Sequence, residues 1–406
     1  MIAAVRAGRE FRRDPLRFML ALDGRSDAVP FRAGLTDFTL LRNPETIHRV
    51  LVADNDLYGE GKWTQRGKRV MHECLITLEG RPHRERRLLL QPAFDRGAMM
   101  DYGPAMVRAA SRVSARWRDG ATVEIRGEMN RLALGVVGEV LLDLDLEPDA
   151  DRQVEALLAM LYAISRGPLS WGASRRLARA RKLLDATAAE ALAKREGRLQ
   201  SALGACPALS ERSLKDEVVS MLIAGVDTTP GTLAWTWFVL GRHQDAEAKV
   251  HEELDAVLAG RPPTAEDIPR LRYLRLVLDE VLRLYPPVHF IDRRPLVDVE
   301  LDGRRVAAGS YILLSPLLTQ RDGRFFDEPA SFRPERWENG QATAARAYFP
   351  FGAGPHTCIG IALARTELVL AIATLASRWR LRPSGGFPDD PSPQTTRFPM
   401  TIEARR

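Results

Sequence analysis

The chain has 406 residues, 45% of them hydrophobic and 28% charged, values that describe a globular protein with a large core and exclude a disordered or fibrous one. The net charge is +6, but its arginines are scattered along the whole length. This disfavours nucleic-acid binding and leaves either a solvated mixed surface or a local patch for an acidic partner. Three cysteines are too few for a disulfide framework, so we expect a reducing, cytoplasmic location.

Nothing at the N-terminus predicts export or anchoring. Charges from Arg6 onward interrupt the chain before any apolar run approaches the roughly 20 residues that span a bilayer. No linker divides the rest of the chain, and we interpret the proline-dense stretches Pro286-Pro287 and Pro388–Pro393 as turns within one body. We therefore predict no membrane attachment and a single domain over residues 1–406.

The first elements predicted along the chain are a hairpin and a helix. Ala28–Arg32 and Phe38–Leu41 are rich in β-formers and are separated by Gly34, which predicts two paired strands. A helix is predicted over Pro44–Val52, since proline suits a first helical position and an acidic residue follows it. From Arg84 to about Leu203, leucine and alanine recur three and four residues apart, and the pattern predicts helices with short breaks.

Strand patterns return late in the chain. Val297–Leu301 and Tyr311–Leu314 are predicted strands, with the turn signal Asp302-Gly303 between them. Because helical patterns dominate elsewhere, we predict a protein that is mainly α with a small β part.

An acid and a hydroxyl interrupt the apolar helix predicted over Val218–Leu240. Asp227 and Thr228 are costly there, because a buried carboxylate must be paired or protonated and threonine competes for backbone hydrogen bonds. Pro230 offers no N–H to the carbonyl of Val226, so the helix should bend or open into a groove that can hold water and pass protons. The alternative is a threonine that simply bonds back to the preceding turn.

Glu280 and Arg283 lie three residues apart and therefore share a helix face. Such pairs are common at surfaces, but the apolar neighbours Val281 and Leu284 favour a buried pair with further partners. We predict Arg336 as the third member.

Cys358 lies in a glycine-punctuated loop, Phe351 to Gly360, that runs directly into an apolar helix. Glycines let the backbone approach a bulky ligand, and a helix N-terminus favours a thiolate, so Cys358 is a candidate metal ligand. Two alternatives remain, a buried apolar cysteine and a nucleophile paired with His356. The second is poor because the two residues are only two apart and lack an oxyanion-hole partner.

These motifs resemble those of soluble bacterial cytochrome P450 enzymes, the haem-thiolate monooxygenases, and they occur in the family's order. The cysteine loop matches Phe-x-x-Gly-x-(Arg/His)-x-Cys-x-Gly, residues 224–228 match Ala-Gly-x-(Asp/Glu)-Thr, and Glu280 with Arg283 matches Glu-x-x-Arg. Residues 83–87 match the helix that reaches the haem propionates. The resemblance extends from about Asp14 to the C-terminus.

The resemblance implies the cytochrome P450 fold and haem b (iron protoporphyrin IX) as cofactor, with Cys358 as the metal ligand. Asp227 and Thr228 would be the catalytic residues that deliver protons during oxygen activation. The residues that it implies in cofactor binding are His83, Arg87, Ala224, Gly225, Arg293, Phe351, Gly352, His356, Cys358 and Gly360.

One departure concerns the propionate contacts. His356 stands where most family members have arginine, and histidine titrates near neutrality, so we expect a weaker, pH-sensitive contact. Arg293 should supply the firmer charge. Arg294 is an open alternative, because neighbouring strand residues point to opposite faces.

By the same resemblance, the enzyme would use dioxygen to hydroxylate or epoxidise a hydrophobic small molecule of secondary metabolism, such as a terpenoid, fatty acyl group or polyketide. Electrons would come from a separate ferredoxin with an NAD(P)H-dependent reductase. The ferredoxin would dock near Arg84, Arg86 and Arg365, and we expect a monomer. The alternatives are a haem-thiolate peroxygenase and a non-catalytic haem sensor.

The expected substrate pocket is bounded by Trp63–Leu78, by residues 224, 225 and 228, by Val288–Ile291 and by Gln394–Thr396. Most of these residues are apolar. His289 is the exception, and it could give one hydrogen bond to an oxygenated substrate or lie elsewhere.

Overall fold

The computed structural model describes residues 8–11, 13–22, 26–166, 171–194, 197–206, 209–338, 346–386 and 396–405. Its α-helices are α1 Pro15–Ala21, α2 Pro44–His48, α3 Lys62–Met71, α4 Gly80–Leu90, α5 Arg96–Ala115, α6 Ile125–Val137, α7 Ala150–Arg166, α8 Trp171–Lys194, α9 Arg198–Gly204, α10 Glu211–Arg242, α11 Gln244–Leu258, α12 Arg272–Leu284, α13 Pro316–Thr319 and α14 Ile361–Ala376. Its strands are β1 Ala28–Ala33, β2 Thr36–Leu41, β3 Tyr58–Glu60, β4 Thr122–Glu124, β5 Ile291–Pro295, β6 Val299–Leu301, β7 Arg304–Val306, β8 Tyr311–Leu314, β9 Trp379–Pro383 and β10 Pro399–Ala404.

Within the described residues the strands form three small sheets. The largest has the order β1-β2-β8-β5-β3, and the others are β4-β10-β9 and β6-β7. The predicted hairpin is confirmed: β1 and β2 are antiparallel, with Phe31 opposite Phe38. The turn uses Gly34 at φ 67°, a left-handed backbone that glycine adopts without strain. The prediction of a mainly α protein with a small β part is also confirmed.

One strand connection was predicted wrongly. The Asp302-Gly303 turn joins β6 to β7, a two-stranded ribbon in which Leu301 pairs with Arg304. The strand Tyr311–Leu314 instead pairs with β2 and β5 in the largest sheet. Short runs such as Arg304–Val306 carry too few residues to show an alternating pattern, so the sequence did not reveal this strand.

The helix α10, 32 residues long, runs through the helical part of the fold and packs against α6, α8, α12 and α14. Most of its residues from Asp216 to Leu240 are buried, in keeping with their apolar character. Helix α2 begins at Pro44 as predicted, capped by the side chain of Asn43, and continues as a π-helical turn over Arg49–Ala53. No helix among the described residues is both long and apolar enough to cross a membrane.

Of the two outcomes expected at Pro230, a bend or an opening, the opening is wrong, because α10 continues as an α-helix through this residue to Arg242, and the bend stays a prediction. Pro230 is buried within a helix that is enclosed on several sides. Packing of the apolar turns before and after it holds the helix together despite one missing hydrogen bond.

Glu280 and Arg283 form a fully buried pair, joined by Arg336 as the sequence predicted. Arg283 donates through Nε and Nη2 to both carboxylate oxygens at 2.9 and 2.8 Å, and Arg336 Nε donates to Oε1 at 3.0 Å. The indole of Trp337 and the backbone N–H of Arg333 also donate to it, each at 2.9 Å. The carboxylate therefore has enough partners to replace the water that it lost.

This cluster reaches the cysteine loop through Gln320. Arg283 Nη1 donates to the carbonyl of Gln320 at 2.8 Å, and the Gln320 side chain accepts from the N–H of Phe349 at 3.0 Å. The carbonyl of Phe349 in turn accepts from the N–H of Gly352. A short series of hydrogen bonds thus connects α12 to the loop that carries Cys358.

Replacing Glu280 with Gln should reduce the free energy of unfolding by about 3 kcal/mol or more, because it leaves two buried guanidinium groups without an anion. Urea unfolding of the purified protein measures this loss. Glu328→Gln is the matched control, since Glu328 is exposed and lies 3.6 Å from Arg333. Equal midpoints for the two variants would contradict a structural role for the cluster.

Candidate active site

The backbone of the cysteine loop depends on two glycines with positive φ, Gly352 at 71° and Gly354 at 72°. A Cβ at Gly354 would lie 1.9 Å from the carbonyl oxygen of Leu51, so only glycine fits here. A 3₁₀ turn over Gly354–His356 then leads the chain toward α14. The glycines therefore shape the loop against the π-helical turn after α2.

Cys358 lies at the end of this loop, just before α14. Its N–H donates to the carbonyl of Phe351 at 3.0 Å. The residue has exposed surface, yet burial by surrounding protein raises the pKa of its thiol, while the N–H of Gly360 and the charge of Arg87 lower it. A residue can be exposed to solvent and yet closely surrounded by protein when its side chain lines a concave surface, and this describes Cys358. Such a thiol has space for a large ligand and two groups that favour its thiolate.

Two histidines and an arginine converge beside the loop. The rings of His83 and His356 stack with their centroids 4.0 Å apart. Arg87, one helical turn after His83, donates through Nη1 to the carbonyl of Thr357 at 2.6 Å. His83 and Arg87, which the resemblance implies in cofactor binding, therefore lie directly against the cysteine loop.

Both imidazoles are neutral at neutral pH. Burial lowers the pKa of His83 to about 4, and the charges of Arg87, Arg293 and Arg84 add to this effect. Burial, followed by the charges of His83, Arg293 and Arg87, lowers the pKa of His356 to about 3. The expectation that His356 titrates near neutrality is therefore wrong, since the sequence did not show how closely the arginines surround it.

Arg293 is buried, with 5% of its surface exposed. Its Nη1 donates to Glu60 Oε2 at 3.1 Å and to the carbonyl of Asp292 at 2.9 Å, while its buried Nε has no partner among the described residues. Arg294, on the other face of β5, reaches toward Gly59 and Glu79. The Nε of Arg294 is likewise buried without a partner among the described residues, so what distinguishes Arg293 is its position beside the two histidines.

Helix α10 presents the predicted oxygen-activation motif. Ala224 is exposed although the residues immediately before it are buried, so it borders an internal space. A Cβ at Gly225 would lie 2.5 Å from Val137, which shows that this glycine permits close packing of α10 on α6. Thr228 Oγ1 donates to the carbonyl of Ala224 at 2.8 Å, the back-bonded arrangement that the sequence left as an alternative.

Arg126 is a residue of this site that the sequence did not reveal. Its Nη2 donates to the carbonyl of Asp227 at 3.2 Å, and its Nε donates to Asn130. Burial lowers the pKa of Arg126, whereas the charges of Asp227 and Glu124 raise it. A cation in the first turn of a helix interacts unfavourably with the helix dipole. The position of Arg126 in the first turn of α6 was therefore the signal in the sequence that this arginine has a tertiary partner.

The three arginines expected to meet an electron donor differ in exposure. Arg84 is exposed, and Arg365 pairs with Asp279 at 2.8 Å and lies over the Phe351 ring. Arg86, in contrast, is buried and bonded to Glu217 of α10. The expectation for Arg86 is therefore wrong, because this side chain points into the protein.

The expected pocket walls are only partly within the described residues, which include Thr396 but not Gln394 or Thr395. The proline-dense stretch predicted as a turn, residues 388–393, also lies outside them. Trp63 packs edge-on against Phe290 with ring centroids 4.8 Å apart. His289 accepts a hydrogen bond from Ser315 through its carbonyl at 2.7 Å, which leaves the role of its ring a prediction.

Comparisons with known proteins agree with this geometry. The family model for cytochrome P450 matches residues 26–404. Cyclooctatin synthase of Streptomyces melanosporofaciens is 34% identical over 94% of this chain and 89% of its own length. Cyclooctat-9-en-7-ol 5-monooxygenase of the same organism is 33% identical over 92% of this chain and 86% of its own length. Pentalenene oxygenase of Streptomyces avermitilis is 32% identical over 91% of this chain and 87% of its own length.

The chain therefore belongs to the cytochrome P450 family and is a monooxygenase. The family implies a haem-iron cofactor, and the residues here fit one. The thiol of Cys358 lines a concave surface, Ala224 borders an internal space, and the buried Nε of Arg293 has no partner among the described residues. These features suit a haem whose iron is bound by the sulfur and whose acidic side groups are bound by Arg293.

Proposed function

We propose that this enzyme inserts one atom of dioxygen into a hydrophobic small molecule, using haem b held by Cys358. The observation that carries this proposal is the setting of Cys358, an exposed thiol at the end of the glycine loop; burial raises its pKa, while the Gly360 N–H and Arg87 act in the opposite direction and favour the thiolate. When bound, the haem supplies the iron at which dioxygen is activated, and a thiolate ligand favours cleavage of the O–O bond. The protein supplies the ligand, the charges and the protons.

The cations beside the loop would hold the two propionates. Arg293 would donate through Nε, which is buried and without a partner among the described residues. Arg87 has donors beyond the Nη1 that binds Thr357, and the neutral His83 can donate one N–H, whereas the single N–H of a neutral His356 is directed to Glu60. Phe351, Gly352 and Gly360, which belong to the loop that carries Cys358, would contact the haem beside its sulfur ligand.

Asp227 and Thr228 would move protons toward the dioxygen site. The Thr228 hydroxyl now donates to the carbonyl of Ala224, and rotation about one bond redirects it. Arg126 holds the backbone of Asp227, and its charge favours the ionised carboxylate. Asp227 would thus accept protons from water and pass them on to the Thr228 oxygen.

Replacing Cys358 with Ser should abolish the red-shifted Soret band of the reduced, carbon monoxide-bound protein, because a hydroxyl does not provide the thiolate that produces it. The absorption spectrum measures this directly. Cys206→Ser is a suitable control, since Cys206 follows α9 and is not part of the cysteine loop. A red-shifted band that persists in the Cys358 variant would disprove the ligand assignment.

Replacing Thr228 with Ala should slow product formation by about 10²-fold and raise hydrogen peroxide released per NAD(P)H, since proton delivery is impaired. Both quantities are measured with the reconstituted electron donor. Thr232→Ala is the control, because Thr232 bonds back to Thr228 one turn further along the same helix. If product yield and peroxide release are unchanged in the Thr228 variant, the proton-relay assignment is wrong.

Electrons would reach the haem from a separate ferredoxin and its NAD(P)H-dependent reductase. Arg84 and Arg365 remain as candidate contacts for an acidic donor, because both expose part of their side chains near the cysteine loop. Arg86 is excluded from this surface by its burial. The cytoplasmic location, the monomeric state and the single domain over 1–406 stay predictions.

For the substrate we propose a terpenoid. The names of the three relatives refer to cyclooctatin, cyclooctat-9-en-7-ol and pentalenene, and these relatives act on terpenoids. Trp63 and Phe290 form an aromatic contact in the segments expected to line the pocket, which suits an apolar ring system.

A cyclic terpene alcohol should shift the haem from low to high spin at micromolar concentration, because a fitting substrate displaces water near the iron. Titration by absorbance measures the shift. A straight-chain fatty acid of equal carbon number and a polyketide macrolactone serve as comparisons, and both should bind at least about tenfold more weakly, a difference of about 1.4 kcal/mol. Tighter binding of either comparison compound, measured by the same spin shift, would show that the terpenoid proposal is wrong and would favour that compound's class.

A further inference from the structure

A buried carboxylate lies among the cations that we assign to the propionates. Glu60 has 5% of its surface exposed, its Oε2 lies 3.1 Å from Arg293 Nη1, and its Oε1 lies 3.0 Å from His356 Nδ1. In this second contact the Nδ1–H of the imidazole donates a hydrogen bond to the carboxylate. Glu60 therefore occupies one donor from each of two groups in the cation cluster.

The position of Glu60 is fixed by the backbone. It is the last residue of β3, and the antiparallel register with β5 places it directly opposite Arg293. Directly opposed strand residues have their side chains close together, and opposite charges there attract. Thr64 also hydrogen-bonds the Glu60 carboxylate, so the side chain is held from two elements.

The groups around Glu60 shift the pKa of its carboxyl in opposite directions. Burial raises the pKa of Glu60, Arg293 lowers it, and the carboxylates of Asp292 and Glu79 raise it further. Two propionates added to this cluster would share Arg293 with a carboxylate that is already bound to it. A buried charge in surroundings of low dielectric acts over several ångströms and is poorly screened by salt.

We propose that Glu60 is an internal anion of the propionate-binding cluster, which competes with a propionate for Arg293 and lowers the reduction potential of the haem. This inference rests on the assignment of Arg293 in the proposed function. Negative charge near the iron favours the ferric over the ferrous state, because reduction adds an electron. Since Glu60 already binds Nη1, the propionate is left with the remaining donors of Arg293.

Glu60→Gln removes the charge and keeps the shape and one acceptor oxygen. Spectroelectrochemical titration of the haem-loaded variant should give a higher reduction potential than that of the wild-type protein. Transfer of haem to apomyoglobin should be severalfold slower, since the propionate no longer shares Arg293. If Glu60→Gln does not load with haem, Glu60→Met serves in the same measurements.

Two control variants separate charge from local disturbance. Glu60→Asp retains the charge and should keep the potential near that of the wild type. Glu79 is an exposed carboxylate that lines one cavity, of about 340 Å³, together with Glu60. Glu79→Gln should change the potential less than Glu60→Gln does. An unchanged potential or faster haem transfer in Glu60→Gln, or an equal shift in Glu79→Gln, would overturn the proposal.

Arg293→Met tests the underlying assignment separately. It should accelerate haem transfer to apomyoglobin, because it removes the buried cation that binds a propionate. If it does not, the propionate cluster of the proposed function is wrong. If it does, while Glu60→Gln leaves the potential unchanged, only the role of Glu60 is wrong.

Discussion

The cysteine loop depends on a carboxylate that lies outside it. Glu280 is the shared anion of Arg283 and Arg336 in the interior, and Arg283 also donates to the carbonyl of Gln320, whose side chain binds the backbone of Phe349. A charged group in this position is tolerated only because all of its partners are present at once. The same network therefore stabilises the fold and sets the backbone position from which Cys358 is presented.

A second constraint is the concentration of positive charge beside that loop. Burial, assisted by Arg87 and Arg293, lowers the pKa of His83 and of His356, so the histidines act as neutral donors rather than as cations. The two arginines carry the permanent charge. The negative charge of Glu60 offsets part of this positive charge, so the net charge of the cluster depends on the buried carboxylate as well as on the basic residues.

Local patterns in the sequence were sufficient for several parts of this structure. The β1-β2 hairpin, the start of α2 at Pro44 and the pairing of Glu280 with Arg283 all involve residues a few positions apart. In such cases turn chemistry, capping and helical spacing act before any tertiary contact forms. The glycines of the cysteine loop belong to the same group, because the positive φ of Gly354 is a local requirement.

The sequence by itself determined the family, the mainly helical fold and the residue types of the site, since these follow from motifs and short-range periodicity. Only the tertiary structure decided which partners those residues have. Arg86 turns inward to Glu217, Gly225 packs on Val137, and Arg126 reaches the backbone of Asp227. Each of these contacts joins positions dozens of residues apart in the chain. Their burial and charge therefore depend on how helices and strands pack together, which local spacing does not specify.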